Sequence, residues 1–271
     1  MPNAAVESEL QEKEERQLGS MGLLQHLEEL RKRVIYSVIA VLVGFLGCWK
    51  LAGHIFQWMQ APLTQALKAH NLDPHLAYLN PTDPFNMYMK VGLYAGIFVA
   101  SPIILYQVWL FISPGLYRHE KRFVVPFLVL SVGLFLSGGF FGHRIVFPVA
   151  LDFLIGYGGD FKAVITITEY TDQWLTVILG LAIVFEVPIV IGFTAMMGVV
   201  DAKFLLKHIR GAVFLFFIVA AILTPTTDPL NMTIYAAPLI GLYILSIGIA
   251  WLVHPKQRRK RAEKENKKKN P

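Results

Sequence analysis

Three acidic side chains occupy positions in this 271-residue chain where they could carry chemistry. Glu29 lies in an amphipathic segment just before the first long apolar run, and Glu120 is the only acid in a short basic segment after the second. Glu186 lies inside the fourth run. A carboxylate can accept two parallel hydrogen bonds from a guanidinium, and an ionisable group within an apolar run is costly and commonly functional. These acids therefore indicate binding of a cationic group at the ends of the runs and a polar contact within the fourth.

Each acid also has a purely structural interpretation. Glu29 is spaced to pair with Arg33 one helical turn later, and the basic neighbours of Glu120 could neutralise it. Glu186 could accept a hydrogen bond from a neighbouring helix. Asp228, at the end of the fifth run, could cap the turn that follows it. Spacing alone does not decide between these alternatives.

The sequence lacks the signatures of catalysis and of metal binding. His119-Glu120 begins like a zinc-binding HExxH motif, but Phe123 stands where the second histidine is required. No GxSxG elbow, P-loop or dinucleotide fingerprint occurs. The single cysteine, Cys48, cannot form an internal disulfide. We therefore predict a protein that is not an enzyme and holds neither a metal nor a cofactor.

Long apolar helices are the elements that must position these acids. Of the residues, 55% are hydrophobic and only 16% are charged, whereas soluble domains carry about 25% charged residues. This composition excludes an ordinary soluble enzyme. A helix needs roughly 20 apolar residues to cross a bilayer, and six runs are candidates: 34–49 (extended to about 56), 91–117, 123–142 (extendable through His143 and Arg144 to 148), 173–200, 211–227 and 229–253. The fold class predicted is an all-α, polytopic membrane protein with six transmembrane helices.

The later runs carry two features that should shape the helix bundle. The fifth run, 211–227, would cover only about 25 Å, less than a hydrocarbon core of about 30 Å. It ends in a turn with two prolines, so the fifth and sixth spans are predicted to be short. Either the bilayer thins around them or polar groups are drawn into it. In the fourth run, Pro188 should kink the helix beside Glu186.

Basic residues are distributed unequally between the two sides of the predicted bundle. Of 25 lysines and arginines, 20 lie in segments on the same side as the N-terminus, which predicts that both termini are cytoplasmic. We predict a disordered acidic N-terminus at 1–20, a membrane domain at 21–253 and a basic disordered tail at 254–271. The tail accounts for the net charge of +6. Anionic lipid, and not nucleic acid, is its expected neighbour.

Six blocks of sequence, in chain order, resemble the TatC family of twin-arginine protein translocases. The resemblance runs from about residue 21 to residue 253. In one place the chain departs from the family pattern, because His143-Arg144 stands where apolar or aromatic residues are expected. The blocks are HLEELRKR at 26–33, APL at 61–63, LYQVWLFISPGLYRHEKR at 105–122, FP at 147–148, FEVP at 185–188, and TP at 224–225 with DP at 228–229.

The resemblance implies a function. TatC proteins bind the twin-arginine signal peptides of folded proteins at the cytoplasmic face of the bacterial inner membrane. They work with the single-span proteins TatA and TatB, and the proton gradient drives export. A homo-oligomer within the receptor complex is expected as well.

The resemblance also implies site residues, by position in the matching blocks. Glu186 and Asp228 match polar positions in the membrane that contact partners, and Pro62 matches a structural proline of the outer loop. The positions implied in signal-peptide binding are Glu29, Glu120, Arg31, Arg33, Phe111 and Pro114.

A proton-coupled secondary transporter, with Glu186 as the proton carrier, is the alternative from another functional class. Such a protein would need a substrate site near the middle of the membrane, usually with discontinuous helices and paired repeats. No internal repeat is visible in the sequence.

Overall fold

The computed structural model describes residues 4–112, 124–158, 161–224 and 228–253, with side chains for all of these except residues 4–24 and 124. These parts of the chain are helical almost throughout. In chain order, the helices are α1 (Ala4–Trp49), α2 (Ala52–Ala69), α3 (Asp83–Ile112), α4 (Val124–Phe141), a π-helical turn (Gly142–Val146), α5 (Phe147–Tyr157), α6 (Ile167–Val184), α7 (Val187–Met196), α8 (Ala202–Lys207), α9 (Ile209–Leu223) and α10 (Pro229–Val253).

The prediction of six transmembrane helices is confirmed. Within the described ranges, five helical segments are long and apolar enough to cross a membrane: Gln25–Trp49, Asp83–Ile112, Val125–Tyr157, Ile167–Met196 and Pro229–Val253. Ile209–Leu223 is a shorter apolar helix that completes the set. The third span continues through His143 and Arg144, as the sequence suggested, because the π-helical turn joins α4 to α5 without a break.

Consecutive spans run in opposite directions, so the bundle has two faces. The N-terminal face contains the start of the apolar part of α1 and the end of α3, and Arg33 of α1 there contacts Gln107 of α3. The far face contains the end of α1, where Trp49 packs edge-on against Phe85 at the start of α3. Helix α2 and the loops before α3 and α6 lie on the far face.

Helices α1 and α3 pack backbone against backbone at two glycines. A Cβ atom on Gly44 would lie 2.7 Å from the carbonyl oxygen of Gly96, and a Cβ on Gly96 would lie 2.5 Å from the amide nitrogen of Phe45. Small residues allow this close approach between membrane helices, which associate through van der Waals contact and not through the hydrophobic effect. The contact is central to the placement of α1, because few of its side chains are buried.

The chain reverses direction at Lys50 and Leu51, and α2 then covers the far face. The expected extension of the first span to residue 56 is therefore wrong. Pro62 lies within α2 and is buried. The hydroxyl of Tyr170, on α6, donates a hydrogen bond to the carbonyl oxygen of Met59 at 2.5 Å. A parallel bridge between Ala77 and Thr166 joins the two far-face loops, so this cap is fixed to the bundle at several points.

The fourth span is interrupted where the sequence places its proline. Helix α6 ends at Val184 and α7 begins at Val187, with Glu186 between them and Pro188 in the first turn of α7. The predicted kink beside Glu186 is confirmed.

The fifth and sixth spans differ in length. Helix α9 has 15 residues, or about 22 Å, and is short as predicted. Helix α10 has 25 residues, or about 37 Å, so the sixth helix itself is not shortened. The proline-containing turn ends only the helix before it, because proline is well tolerated in the first turn of the next helix.

At the N-terminus, the segment predicted to be disordered is helical from Ala4 onward and continuous with the first span. Glutamate is the commonest residue there, and it favours helix, as do the alanines, glutamines and leucines of the same segment. The basic tail, 254–271, lies outside the described residues.

We expect the Gly44 to Gly96 contact to be a major determinant of stability. Gly44→Ala should destabilise the folded protein by about 1–3 kcal/mol, the usual cost of overpacking, because the added methyl meets the backbone of α3. Gly47→Ala is the matched control, since a Cβ there has nothing within 4 Å. Thermal unfolding in detergent measures both variants. Equal unfolding temperatures would contradict the role of the contact.

Candidate functional site

The carboxylate of Glu29 lies where α1 and α3 meet at the N-terminal face. Nη2 of Arg33 donates to Oε1 of Glu29 at 3.1 Å, and Nη1 of the same guanidinium donates to Oε1 of Gln107 on α3 at 3.2 Å. The side chains of Glu29 and Arg33 are 29% and 24% exposed. Glu29 is thus already paired with a guanidinium, in the geometry of its structural interpretation, and water still reaches the pair.

Aromatic contacts place Phe111 beside this pair. The ring of Phe111, at the end of α3, stacks on His26 of α1 with centroids 4.4 Å apart and an angle of 21° between the planes. A shallow groove of about 610 Å³ runs along α1 here and includes Glu28, Glu29, Arg31 and Arg33 in its lining. Of the residues implied in signal-peptide binding, the structure therefore brings Glu29, Arg33 and Phe111 together, with the exposed Arg31 on the same groove.

Two implied site residues, Pro114 and Glu120, lie outside the described residues. They belong to the segment 113–123 that connects α3 with α4.

Glu186 is held by a short hydrogen-bonded chain that crosses three helices. The hydroxyl of Ser131, on α4, donates to Oε2 of Glu186 at 2.8 Å, and the indole of Trp109, on α3, donates to that hydroxyl at 3.3 Å. Phe127, Ile189 and other apolar side chains pack around Trp109. This arrangement matches the interpretation of Glu186 as a polar group bonded to a neighbouring helix.

The second oxygen of the Glu186 carboxylate is available to accept a hydrogen bond. Oε1 of Glu186 is buried and has no hydrogen-bond donor among the described residues. A buried acceptor without a donor costs about 1–3 kcal/mol. A donor brought by another molecule would remove that cost.

Asp228 serves as a helix cap at the far face. Its Oδ2 accepts a hydrogen bond from the backbone N–H of Asn231 at 2.7 Å, in the first turn of α10, and Pro229 is the first residue of that helix. An acid at this position followed by proline is a favourable helix start. The structure does not bring Asp228 near Glu186, because the two lie at different depths of the bundle. Pro62 is also remote from the Glu29 pair, on the opposite face.

Sequence reasoning missed the residues that hold the two carboxylates. Gln107, Trp109 and Ser131 each place a polar atom within an otherwise apolar run, and that pattern was the available signal. The number of residues that separates them from Glu29 and Glu186 along the chain does not predict these contacts, because each contact joins different helices. In the described part of the chain, no group of three or more His, Cys, Asp or Glu side chains could hold a metal ion.

Comparisons with known proteins agree over most of the chain. The family model described as Sec-independent protein translocase protein (TatC) matches residues 25–238. The TatC protein of Koribacter versatilis (strain Ellin345) is 54% identical over 246 residues, which cover 91% of each chain. The TatC protein of Helicobacter pylori (strain J99) is 37% identical over 245 residues, covering 90% of this chain and 94% of the relative.

A solved structure has the same fold. The crystal structure of a twin-arginine translocase receptor, TatC, superposes with a TM-score of 0.75 at 35% sequence identity. It covers 84% of this chain and 99% of the crystallised chain.

We expect Ser131 to stabilise the fold through Glu186. Ser131→Ala should cost about 1–3 kcal/mol, because the buried carboxylate then loses its donor. The cost should be smaller when Glu186 is replaced by Leu, because only the loss of the acceptor for the Trp109 indole then remains. Ser137→Ala is the control on the same helix, since that hydroxyl bonds only the carbonyl of Leu134. Thermal unfolding of the four chains in detergent measures the coupling, and additive effects of the two substitutions would refute it.

Proposed function

The chain belongs to the TatC family of Sec-independent protein translocase proteins, and from this premise we propose that it recognises the twin-arginine signal peptides of folded proteins. It is a multi-pass membrane component of the twin-arginine translocase. We place its N-terminal face, with both termini, in the cytoplasm of a bacterium, and the bundle in the inner membrane. The excess of lysine and arginine on that face supports this orientation.

One observation carries the proposal of guanidinium recognition. Glu29 already binds the guanidinium of Arg33 at the membrane end of α1, in a half-buried position. An arginine of a signal peptide presents the same group, so it can take the place of Arg33 on this carboxylate. Arg33 would keep its hydrogen bond to Gln107, which means that the exchange need not leave its charge without a partner.

Two arginines in the peptide call for two acids at this face. Glu120 is the proposed second acid, and Pro114, in the same segment 113–123, is proposed to contribute to signal-peptide binding as well. Phe111, stacked on His26, provides an apolar wall next to Glu29. Arg31, exposed on the groove, is proposed to contact polar groups of the peptide. A hydrogen bond to a charged group contributes about 1.5–3 kcal/mol, so each pairing alters affinity by roughly tenfold or more.

We propose a second contact surface around Glu186, for the single-span proteins TatA and TatB. The buried Oε1 of Glu186 lacks a donor among the described residues, and a polar side chain on a partner helix could supply one. Asp228, at the far-face end of α10, is the proposed second polar contact. Anionic lipids next to the basic tail, a homo-oligomeric receptor complex and export driven by the proton gradient complete the proposed function.

The break in the fourth span at Glu186 does not support the alternative function as a proton-coupled transporter. Discontinuous helices in transporters expose backbone groups that bind ions. Here the backbone stays hydrogen-bonded across the break, since the N–H of Glu186 bonds Ile183 and its carbonyl accepts from Ile189 and Val190. The break is a proline kink, and it exposes no carbonyl of Glu186 for an ion.

We expect Glu29→Gln to weaken binding of a twin-arginine peptide at least tenfold, because the carboxylate charge is lost. A twin-lysine peptide should bind poorly even to the unmodified chain, since an ammonium cannot form the planar two-bond pair. Fluorescence anisotropy of a labelled peptide, with the full chain in nanodiscs, measures both affinities.

Glu28→Gln is the matched control for this experiment. It removes the same charge from the neighbouring exposed residue. Equal weakening by the two substitutions would show that only the overall charge of the face matters.

We expect Glu186→Leu to reduce crosslinking of a TatA or TatB helix to α7 several-fold, and Glu186→Gln to retain most of it. The amide of Gln keeps a hydrogen-bonding group at this depth and Leu does not. Site-specific photo-crosslinking in membranes measures the contact. Glu169→Gln, on the same span but near the far face, is the control. Crosslinking that is unchanged by Glu186→Leu would leave this residue with a structural role only.

A further inference from the structure

An apolar pocket of about 600 Å³ lies beneath α2, in the far-face half of the bundle. Its walls come from α1, α2, α3, α4 and α6 and include Tyr94, Trp58 and Trp174. Val99, Leu136 and Phe140 also line it and are 65%, 44% and 60% exposed. The mouth of the pocket therefore opens among side chains on the lipid-facing surface.

A buried histidine packs behind two tryptophans of the pocket wall. His143 is 2% exposed, and its ring lies 3.8 Å from the ring of Trp58. The indole N–H of Trp174 donates to Nδ1 of His143 at 3.2 Å. Because an indole N–H can only donate, Nδ1 is the acceptor and the proton of the neutral ring is on Nε2. No described residue accepts a hydrogen bond from this Nε2.

A cation without an ion pair stands next to this histidine. Arg144 follows His143 directly in the third span and is exposed. It makes no salt bridge with a described residue, whereas Asp152 and Asp172, on the same face, pair with His70 and Lys90. The apolar pocket therefore has an exposed positive charge close to the tryptophans of its wall.

We propose that this pocket binds one acyl chain of an anionic phospholipid from the leaflet at the far face. The phosphate pairs with the exposed guanidinium of Arg144, next to the histidine that packs on Trp58 and Trp174. The volume is within the usual range of ligand sites, about 300–1,000 Å³, and the two tryptophans belong to the residue type enriched at the membrane interface.

The size of the pocket argues against a helix as its occupant. A helix is about 10 Å wide, so a volume of 600 Å³ would hold only about 8 Å of its length, or some five residues. An extended acyl chain is much thinner and can enter sideways from the bilayer through the exposed mouth.

Trp174 provides a direct reporter, because it lines the pocket but is only 5% exposed. In the triple variant W49F/W58F/W251F, the remaining tryptophans are Trp174 and the buried Trp109. The same chain with Trp174→Phe added gives the signal of Trp109 for subtraction. The full-length protein is reconstituted in vesicles of unmodified phosphatidylcholine. Increasing fractions of a brominated lipid are then included, either phosphatidylglycerol or phosphatidylcholine, each carrying bromine in the middle of its acyl chains.

Brominated phosphatidylglycerol should quench the fluorescence of Trp174 in a saturable way. Its mole fraction at half-maximal quenching should be at least threefold lower than that of brominated phosphatidylcholine. Arg144→Gln should remove this difference, and Lys162→Gln, which removes a cation from the far-face loop before α6, should keep it. Ala95→Phe, which places a ring in the pocket, should abolish quenching by both lipids.

Equal quenching by the two lipids, or a preference that survives Arg144→Gln, would overturn the proposal. No quenching by either lipid would overturn it as well and would assign the pocket to a peptide segment or a second copy of the chain. If Ala95→Phe does not fold, native mass spectrometry of the unmodified chain and of Arg144→Gln decides: one retained phosphatidylglycerol is expected on the former only, and equal retention would contradict the site.

Discussion

Polar groups in a bilayer core must find their partners within the protein, because hydrocarbon offers none. This constraint accounts for the helical backbone and also for the few polar contacts between helices. The hydroxyl of Tyr170 bonds the carbonyl of Met59, and Ser131 bonds Glu186. Where two helices meet without such groups, as at Gly44 and Gly96, they approach until their backbones touch. Each polar contact therefore has a mechanical effect as well as an energetic one, since it fixes the distance between two helices.

The same constraint explains why the proposed charge recognition is placed at the N-terminal face and not deeper. Glu29 and Arg33 are each about one quarter exposed, so water still screens them and their pair can open. The guanidinium of Arg33 on the proposed recognition carboxylate also sets a threshold, because a ligand must compete with the hydrogen bond from its Nη2 to Oε1 of Glu29. A peptide guanidinium can offer this carboxylate two parallel hydrogen bonds where Arg33 makes one, and the ammonium of lysine cannot. The pair would in this way support the proposed discrimination between arginine and lysine.

Local features of the sequence predicted local features of the structure. Pro188 marks the break in the fourth span, and Asp228 with Pro229 marks the start of α10, since helix starts and kinks depend on neighbouring residues. The partners of Glu186 could not be predicted, because Trp109 and Ser131 reach it from other helices. Further departures have the same origin: the turn after Trp49 and the inward orientation of His143 depend on the packing of α2 against the bundle, which no single segment encodes.

Helix α3 links the two proposed sites within one turn. Gln107 holds Arg33 at the recognition carboxylate, and Trp109, two residues further on, begins the chain of hydrogen bonds that ends at Glu186. A peptide arginine that takes Glu29 from Arg33 would leave Arg33 bonded to Gln107 alone, while Trp109 remains tied to Ser131. Such a change acts on the end of α3, and the segment that carries Glu120 starts directly after that helix. Signal-peptide binding at one carboxylate and partner binding at the other would then share one rigid element, and each ligand would alter the other's affinity only through the position of that helix end.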